Sequence, residues 1–219
     1  MKINENSALV ILSGGQDSTT ALFWAKEKFQ EVETITFDYG QRHKRELGCA
    51  KKIAEIADVP NKLVSITSLS QLSDNAMVNE TEIKENEETL LPTTFVPGRN
   101  LLFVTMAAAY AYEKRIPNLI IGVSQVDYSG YPDCREETMK SLEETINLGM
   151  EFPFKLHTPL IYKTKKETVL LAKKLGALEY LKYSHTCYKG KFPPCGECPA
   201  CKLRTKGFEE AGIADPLLL

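Results

Sequence analysis

The sequence predicts an α/β fold: a parallel sheet covered by helices on both faces. Three observations carry this. Short apolar runs rich in Val, Ile and Leu alternate with segments of helical period along most of the chain. The first run, 8–12, is continuously apolar, as for a strand buried on both faces. Each run ends in a cluster of polar and glycine residues, so the loops that carry chemistry collect at one edge of the sheet.

After the strand at 8–12, residues 18–29 form a helix with Ala21, Leu22 and Ala25 on one face. Residues 32–40 read as a second strand ending in a turn. Residues 44–57 are helical, with Leu47, Ala50, Ile53, Ala54 and Ala57 at core spacing. A third strand follows at 62–66. The stretch 73–89 is polar, rich in Glu and Asn, and is expected to be a mobile loop or flap. Residues 99–114 form an apolar helix buried on more than one side, and 118–123 a fourth strand. A helix at 135–148 and a short fifth strand at 154–160 come next. The helix at 164–175 is stopped by Gly176. The ligand edge therefore collects 13–18, 38–43, 124–135 and 158–163.

A chain of 219 residues with 43% hydrophobic composition suits one compact domain with a small appendage. A net charge of −2 offers no global basic field for tight nucleic-acid binding. The polar start of the chain does not resemble a signal peptide, and no apolar run is long enough to span a membrane, so a cytoplasmic protein is expected. The six cysteines then read as metal ligands or free thiols rather than disulfides.

Ser13-Gly14-Gly15-Gln16-Asp17-Ser18 joins the first strand to the first helix. It is neither a Walker loop, which needs a lysine after its last glycine, nor a dinucleotide fingerprint. Glycines let the backbone approach a ligand closely, and the free amides and dipole of a helix start favour an anion. Ser13, Ser18 and Thr19 add hydroxyl donors. The plain alternative is a capped helix after a tight turn; the helix-terminus argument favours phosphate.

Cys187, Cys195, Cys198 and Cys201 make a C-x7-C-x2-C-x2-C pattern. Four thiolates close a tetrahedral zinc site, and a closed site is structural. The three closely spaced cysteines also fit an iron–sulfur cluster, so spacing leaves both metals open. His185 is an extra ligand or, with four cysteines at hand, a neighbour of the site. Lys189, Lys191, Lys202, Arg204 and Lys206 surround the cluster. They either touch RNA or form a solvated surface, and the overall charge favours the latter.

The loop resembles the SGGxDS pyrophosphate loop of the PP-loop ATP pyrophosphatase superfamily, whose fold is Rossmann-like and whose members cleave ATP between the α and β phosphates. Further stretches narrow the resemblance: FDYGQRHKREL (37–47), VPGRNLLF (96–103), DYSGYPDCR (127–135), HTPL (157–160), and the segment from Thr186 to Pro216. Together, in order and over almost the whole chain, they are similar to the QueC family of 7-cyano-7-deazaguanine synthases. The resemblance implies conversion of 7-carboxy-7-deazaguanine and ammonia to a nitrile, with ATP and Mg²⁺ consumed through adenylated acid and amide intermediates. It tips the four-cysteine site towards zinc. It also implies a homodimer acting on small molecules, with no direct nucleic-acid contact and no membrane. The expected organisation is an ATP-binding domain at 1–180 and a zinc-binding subdomain at 181–219.

Within that resemblance, Leu12, Ser13, Gly14, Gly15, Gln16, Asp17, Ser18, Thr19, Thr20, Ala21 and Leu22 form the ATP segment. Ser13, Gly14, Gly15, Asp17, Ser18 and Thr19 would hold the β and γ phosphates, and Asp17 either orients the loop or holds Mg²⁺ through water. Arg99, beside Asn100 after a Pro-Gly turn, suits a carboxylate or an α-phosphate through paired hydrogen bonds. Lys163 suits charge developing on phosphorus, although Lys165 and Lys166 make a solvated run an equal reading. Asp133 or Asp127 fits the N–H edge of a guanine-like base, since only an acceptor-only side chain matches adjacent donors. Tyr39, Tyr128 and Tyr131 are stacking or packing groups, His43 a proton carrier or surface residue, and Cys134 a packed thiol.

Overall fold

The computed structural model describes residues 2–72, 75–79, 82, 84, 87, 88, 91–126 and 131–219. In chain order these form β1 (Ser7–Ile11), α1 (Gln16–Lys28), β2 (Glu31–Asp38), α2 (Arg45–Ile56), β3 (Asn61–Ser65), α3 (Ser68–Gln71), α4 (Arg99–Lys114) and β4 (Asn118–Ile121). A single 3₁₀ turn, Pro132–Cys134, leads into α5 (Glu136–Met150). Then come β5 (Lys155–His157), α6 (Lys165–Lys174), α7 (Leu178–Leu181) and α8 (Pro199–Ala211).

The sheet runs β3-β2-β1-β4-β5, and every described pairing is parallel. The chain builds outward from β1 through β2 to β3, then crosses back to lay β4 on the other side of β1. The strand order thus reverses between β1 and β4, and the crevice beyond their C-terminal ends is where such sheets take ligands.

The two-residue period of the strands separates two cores. Leu9 and Ile11 of β1, Ile35 and Phe37 of β2, and Leu119 and Ile121 of β4 face α4 and α5, where they meet Phe103, Val104, Ala107, Met139 and Leu142. Ala8, Val10 and Ile120 point the other way, onto Ala21 and Leu22 of α1, Ala50 and Ile53 of α2, Val169 of α6 and Phe208 of α8. Burial on both faces explains why β1 reads as an unbroken apolar run.

The short helices α3 and α7 are not among the expected elements, and two further elements differ more. The fifth strand is three residues long, because the chain turns after His157, with the Ile161 amide donating to the Thr158 carbonyl at 3.1 Å. Pro159 has no amide to extend the ladder. The second difference is α8, a helix of 13 residues inside the segment whose cysteines dominate its reading. Pro199 at its first turn and Gly212, left-handed just past its end, are its start and stop signals. About half of 73–89, the expected mobile loop, together with Asp127 and Tyr128, lies outside the described residues.

Candidate active site

A cavity of about 270 Å³ opens at the predicted crevice, between the ends of β1 and β4. Its floor is the loop after β1. Gly14 has φ +86°, and a Cβ there would lie 2.3 Å from the Glu46 carbonyl oxygen and 2.7 Å from the Ala50 nitrogen. Only glycine lets the loop pass under the start of α2. The hydroxyls of this loop bind one another and its backbone. Ser13 Oγ and Ser18 Oγ are 3.0 Å apart, the Ser13 amide donates to Ser18 Oγ at 3.2 Å, and Thr19 Oγ1 donates to the Gly15 carbonyl at 2.7 Å. Gly15 caps α1 without a side-chain acceptor, so the first amides of α1 face the cavity as free donors.

Lys165, the first residue of α6, pairs with Asp17 Oδ2. It arrives there because α6 and α8 pack closely at Gly207, where a Cβ would lie 2.7 Å from Lys165 Cβ. The α6 start is fixed by a capping box: Thr164 Oγ1 accepts from the Glu167 amide, and the Glu167 carboxylate accepts from the Thr164 amide at 2.8 Å. Several polar atoms around the floor are buried and make no hydrogen bond: both amide atoms of Gln16, Asp17 Oδ1, both ring nitrogens of His185 and Thr186 Oγ1. Gln16 and His185 are 2% and 1% exposed. Buried polar groups left without partners are costly, which marks this floor as built for a polar ligand. His185 stays neutral, since burial, with Arg45, His43 and Arg204 nearby, pulls its pKa down to about 4.

The opposite wall is made of side chains. The Arg99 guanidinium lies 5.8 Å from the Tyr39 ring and 5.9 Å from the Tyr131 ring. Burial works against its charge, but the oxygens of Tyr39 and Tyr131 and the Asp133 carboxylate outweigh it and hold its pKa above the ordinary value. Tyr188 closes this wall, its hydroxyl pushed well above its usual pKa by burial. Glu46 faces Arg99 from α2. Burial pushes its carboxyl up to about 7 against the pull of that arginine.

Asp133 does not line the cavity. It is buried, and its Oδ2 accepts the Asn100 amide at 3.1 Å, so it satisfies the first turn of α4 and holds the helix that presents Arg99. Lys163 also lies off the cavity lining, while Lys165 is on it. His43 packs against Gly190, and His157 bonds Asn118 Oδ1 at 2.9 Å between the rings of Trp24 and Phe29; neither lines the cavity. Cys134 is a buried thiol beside Asn100 Nδ2 at 3.3 Å. The residues the sequence reading missed are Glu46, Lys165, Gln41, Tyr188 and, as a cavity residue, Arg204. Of these, Glu46, Gln41, Tyr188 and Arg204 lie inside the matched stretches, the one signal available for them; Lys165 lies outside all of them.

The sulfur atoms of Cys187, Cys195, Cys198 and Cys201 all lie within 4.8 Å of one another. Cys195 Sγ and Cys201 Sγ are 3.8 Å apart. Thiolates about 2.3 Å from a tetrahedral zinc ion would be about 3.8 Å apart, so these residues fit that metal. Burial opposes ionisation of Cys195, yet the backbone N–H groups of Cys198 and Glu197 bring its thiol down to about 6. His185 is outside the sulfur cluster and turned to the cavity. Arg204 is no surface cation: it is 3% exposed, forks onto both carboxylate oxygens of Asp215 at 2.6 and 2.8 Å, and donates to Ser184 Oγ at 2.7 Å. It ties α8 to the segment whose His185 amide donates to the Gly14 carbonyl at 2.9 Å. The cysteine cluster is thereby connected to the floor of the cavity.

Residues 7–212 match the family described as "Queuosine biosynthesis protein QueC". The chain belongs to the QueC family. Its relatives include the 7-cyano-7-deazaguanine synthase of Chromobacterium violaceum, 53% identical over 98% of this chain and 94% of that protein. The enzyme of the same name from Bacillus subtilis is 51% identical over 95% and 96% of the two chains. Among solved structures, a 4-thiouridine synthetase in complex with RNA and bound ATP aligns with a TM-score of 0.51 at 20% identity, over 94% of this chain and 50% of that one. That likeness places the QueC chain in the same fold. No helix among the described residues is long and apolar enough to cross a membrane.

Proposed function

We propose that this protein is an ATP-dependent synthase that converts 7-carboxy-7-deazaguanine and ammonia to 7-cyano-7-deazaguanine. The observation that carries the reading is the cavity itself: a loop of free helix amides on one side, and a half-buried arginine with aromatic neighbours on the other, in a chain of this family. The ATP segment is Leu12 to Leu22. Ser13, Gly14, Gly15, Ser18 and Thr19 shape the loop that holds the β and γ phosphates: its backbone amides donate to them, while the Thr19 hydroxyl, expected to be a phosphate donor, is kept by the Gly15 carbonyl and braces the loop. Lys165 balances Asp17 there. Asp17 Oδ1, an acceptor with no hydrogen bond, suits a hard cation directly or through water. Mg²⁺, when bound with ATP, supplies charge neutralisation for the departing pyrophosphate.

Arg99 pairs with the substrate carboxylate and orients it at the α-phosphorus, and Asp133 positions Arg99 through α4. A carboxylate is a poor electrophile because oxide must leave. Adenylation turns that oxygen into part of a good leaving group, and ammonia displaces AMP to give the amide. The amide oxygen is activated in the same way, and loss of AMP leaves the nitrile. One site therefore serves both activations of one carbon. The four cysteines hold structural zinc, and residues 181–219 form the subdomain that carries it. Six cysteines without a disulfide suit the cytoplasm, and the family resemblance implies a homodimer with no direct contact to nucleic acid.

The test is a turnover assay read by mass spectrometry, with purified protein, ATP, Mg²⁺, 7-carboxy-7-deazaguanine and an ammonium salt. Nitrile appears together with AMP and pyrophosphate. Folded, zinc-loaded protein that binds ATP but yields no nitrile would sink the proposal, and tRNA would be the next substrate tried.

A further inference from the structure

Each nitrogen step of this reaction releases protons, and something in the cavity must take them. Two acidic side chains line the cavity among the described residues, Asp17 and Glu46. Asp17 is engaged by Lys165. Asp133 is behind the wall, on the α4 amide. Asp38, at the end of β2, is held by the Gly40 amide at 3.1 Å and by Lys44 at 3.1 Å. Glu46 alone is uncommitted: its side chain makes no hydrogen bond or ion pair among the described residues. Its backbone lies directly over Gly14 of the loop, and its carboxylate interacts with Arg99 across the cavity. It therefore stands between the groups assigned to the phosphates and the group assigned to the reacting carboxylate.

We propose that Glu46 is a catalytic residue, the general base that accepts protons from the reacting nitrogen in both steps. This rests on the synthase reading above. In the first step the ammonia lone pair forms a C–N bond to the adenylated carbon, and the C–O bond breaks with its electron pair leaving on AMP. The nitrogen then holds one proton too many, and Glu46 takes it to give the neutral amide. In the second step the O-adenylated amide must lose both N–H protons as the C–O bond breaks and the triple bond forms. Glu46 takes them in turn and returns each to water, because it is only half-buried. A carboxyl whose pKa is raised to about 7 can both accept and release a proton near neutral pH.

The groups facing Glu46 are Arg99 from α4, Tyr39 after β2, Tyr188 from the C-terminal segment and Cys49 on its own helix. Burial raises the pKa of Tyr39, Tyr188 and Cys49, so Arg99 is the charged one at neutral pH. The base form is the active one. kcat/KM for ammonia at saturating ATP and acid therefore rises with pH through about 7, with ammonia counted as free NH3 so that ammonium ionisation does not add its own slope.

The experiment compares wild type, Glu46→Gln and Glu46→Asp in two assays: acid-dependent exchange of pyrophosphate into ATP, and formation of amide and nitrile. Exchange reports adenylation and needs no base on nitrogen. In Glu46→Gln, exchange stays within about threefold of wild type while product formation falls by about 10²–10⁴-fold and the limb near neutral pH disappears. Glu46→Asp recovers part of the rate and keeps the limb. Parallel loss of exchange and product in Glu46→Gln would overturn the proposal, because Glu46 would then serve substrate binding or adenylation. Persistence of the limb in Glu46→Gln would overturn it as well. Wild-type protein without acid-dependent exchange or nitrile would instead overturn the synthase reading on which it rests.

Discussion

The floor and the far wall of the cavity are built on different principles. The floor, from Ser13 to Thr19, is backbone held in place by its own hydroxyls, and it offers amide donors. The far wall is a set of side chains from separate elements, Glu46, Arg99, Tyr39 and Tyr188, held against one another by charge and burial. Backbone donors bind any polyphosphate and cannot change protonation state near neutral pH. Side chains can. The difference assigns anchoring to the floor and chemistry to the wall, and each change below separates the two.

The largest effect is expected from Gly14→Ala. It places a Cβ against the backbone of α2 and strains a residue at φ +86°. Strain and overpacking together cost about 4 kcal/mol, or a fall in Tm of about 10 °C by calorimetry. ATP affinity measured by titration calorimetry falls with it. Near-wild-type Tm and affinity would show that the loop can move away from α2, and the floor would not be the rigid element described.

Removal of the metal comes next. Stripping the proposed zinc with a chelator, or Cys198→Ser, leaves three or four thiols crowded within 4.8 Å. α8 is also held by Arg204 and Asp215, so the loss is partial: about 2–3 kcal/mol, seen as a fall in Tm of about 6–10 °C with zinc release by elemental analysis. Because His185 ties this segment to Gly14, the floor loosens more than the wall. KM for ATP is expected to rise more than KM for the acid. An equal rise in both would break the comparison.

The two regions also differ in how far they can be read from the sequence. The floor is one contiguous stretch, so strand, turn and helix start are visible together. The four cysteines are legible for the same reason, because spacing along the chain is most of the signal. The wall is not contiguous. Glu46 sits on an ordinary helix, and nothing around it in sequence shows that α2 begins over Gly14. Arg204 looks like part of a basic run until Ser184 and Asp215 are seen on its guanidinium. Asp133 looks like a ligand because a turn aspartate and a helix-capping aspartate are alike in sequence; its partner is 33 residues away. The parallel sheet follows from alternation alone, whereas the end of β5 depends on where Pro159 interrupts the edge ladder.

The smallest expected effect concerns the ion pair between Lys165 and Asp17. The loop lacks the lysine of a Walker motif, yet a lysine reaches it in space from 148 residues away. The side chains are 12% and 29% exposed, so solvent screens the pair only in part. Lys165→Met leaves Asp17 as an unbalanced anion at the proposed phosphate site, and KM for ATP is expected to rise about tenfold, about 1.4 kcal/mol. Asp17→Asn removes the repulsion along with the pair. The double variant is then expected to bind ATP better than Lys165→Met alone, within about threefold of Asp17→Asn. That non-additivity is the signature of a lysine that acts by neutralising Asp17. If the two changes add, Lys165 contacts the nucleotide directly, and the floor is a wall of side chains after all.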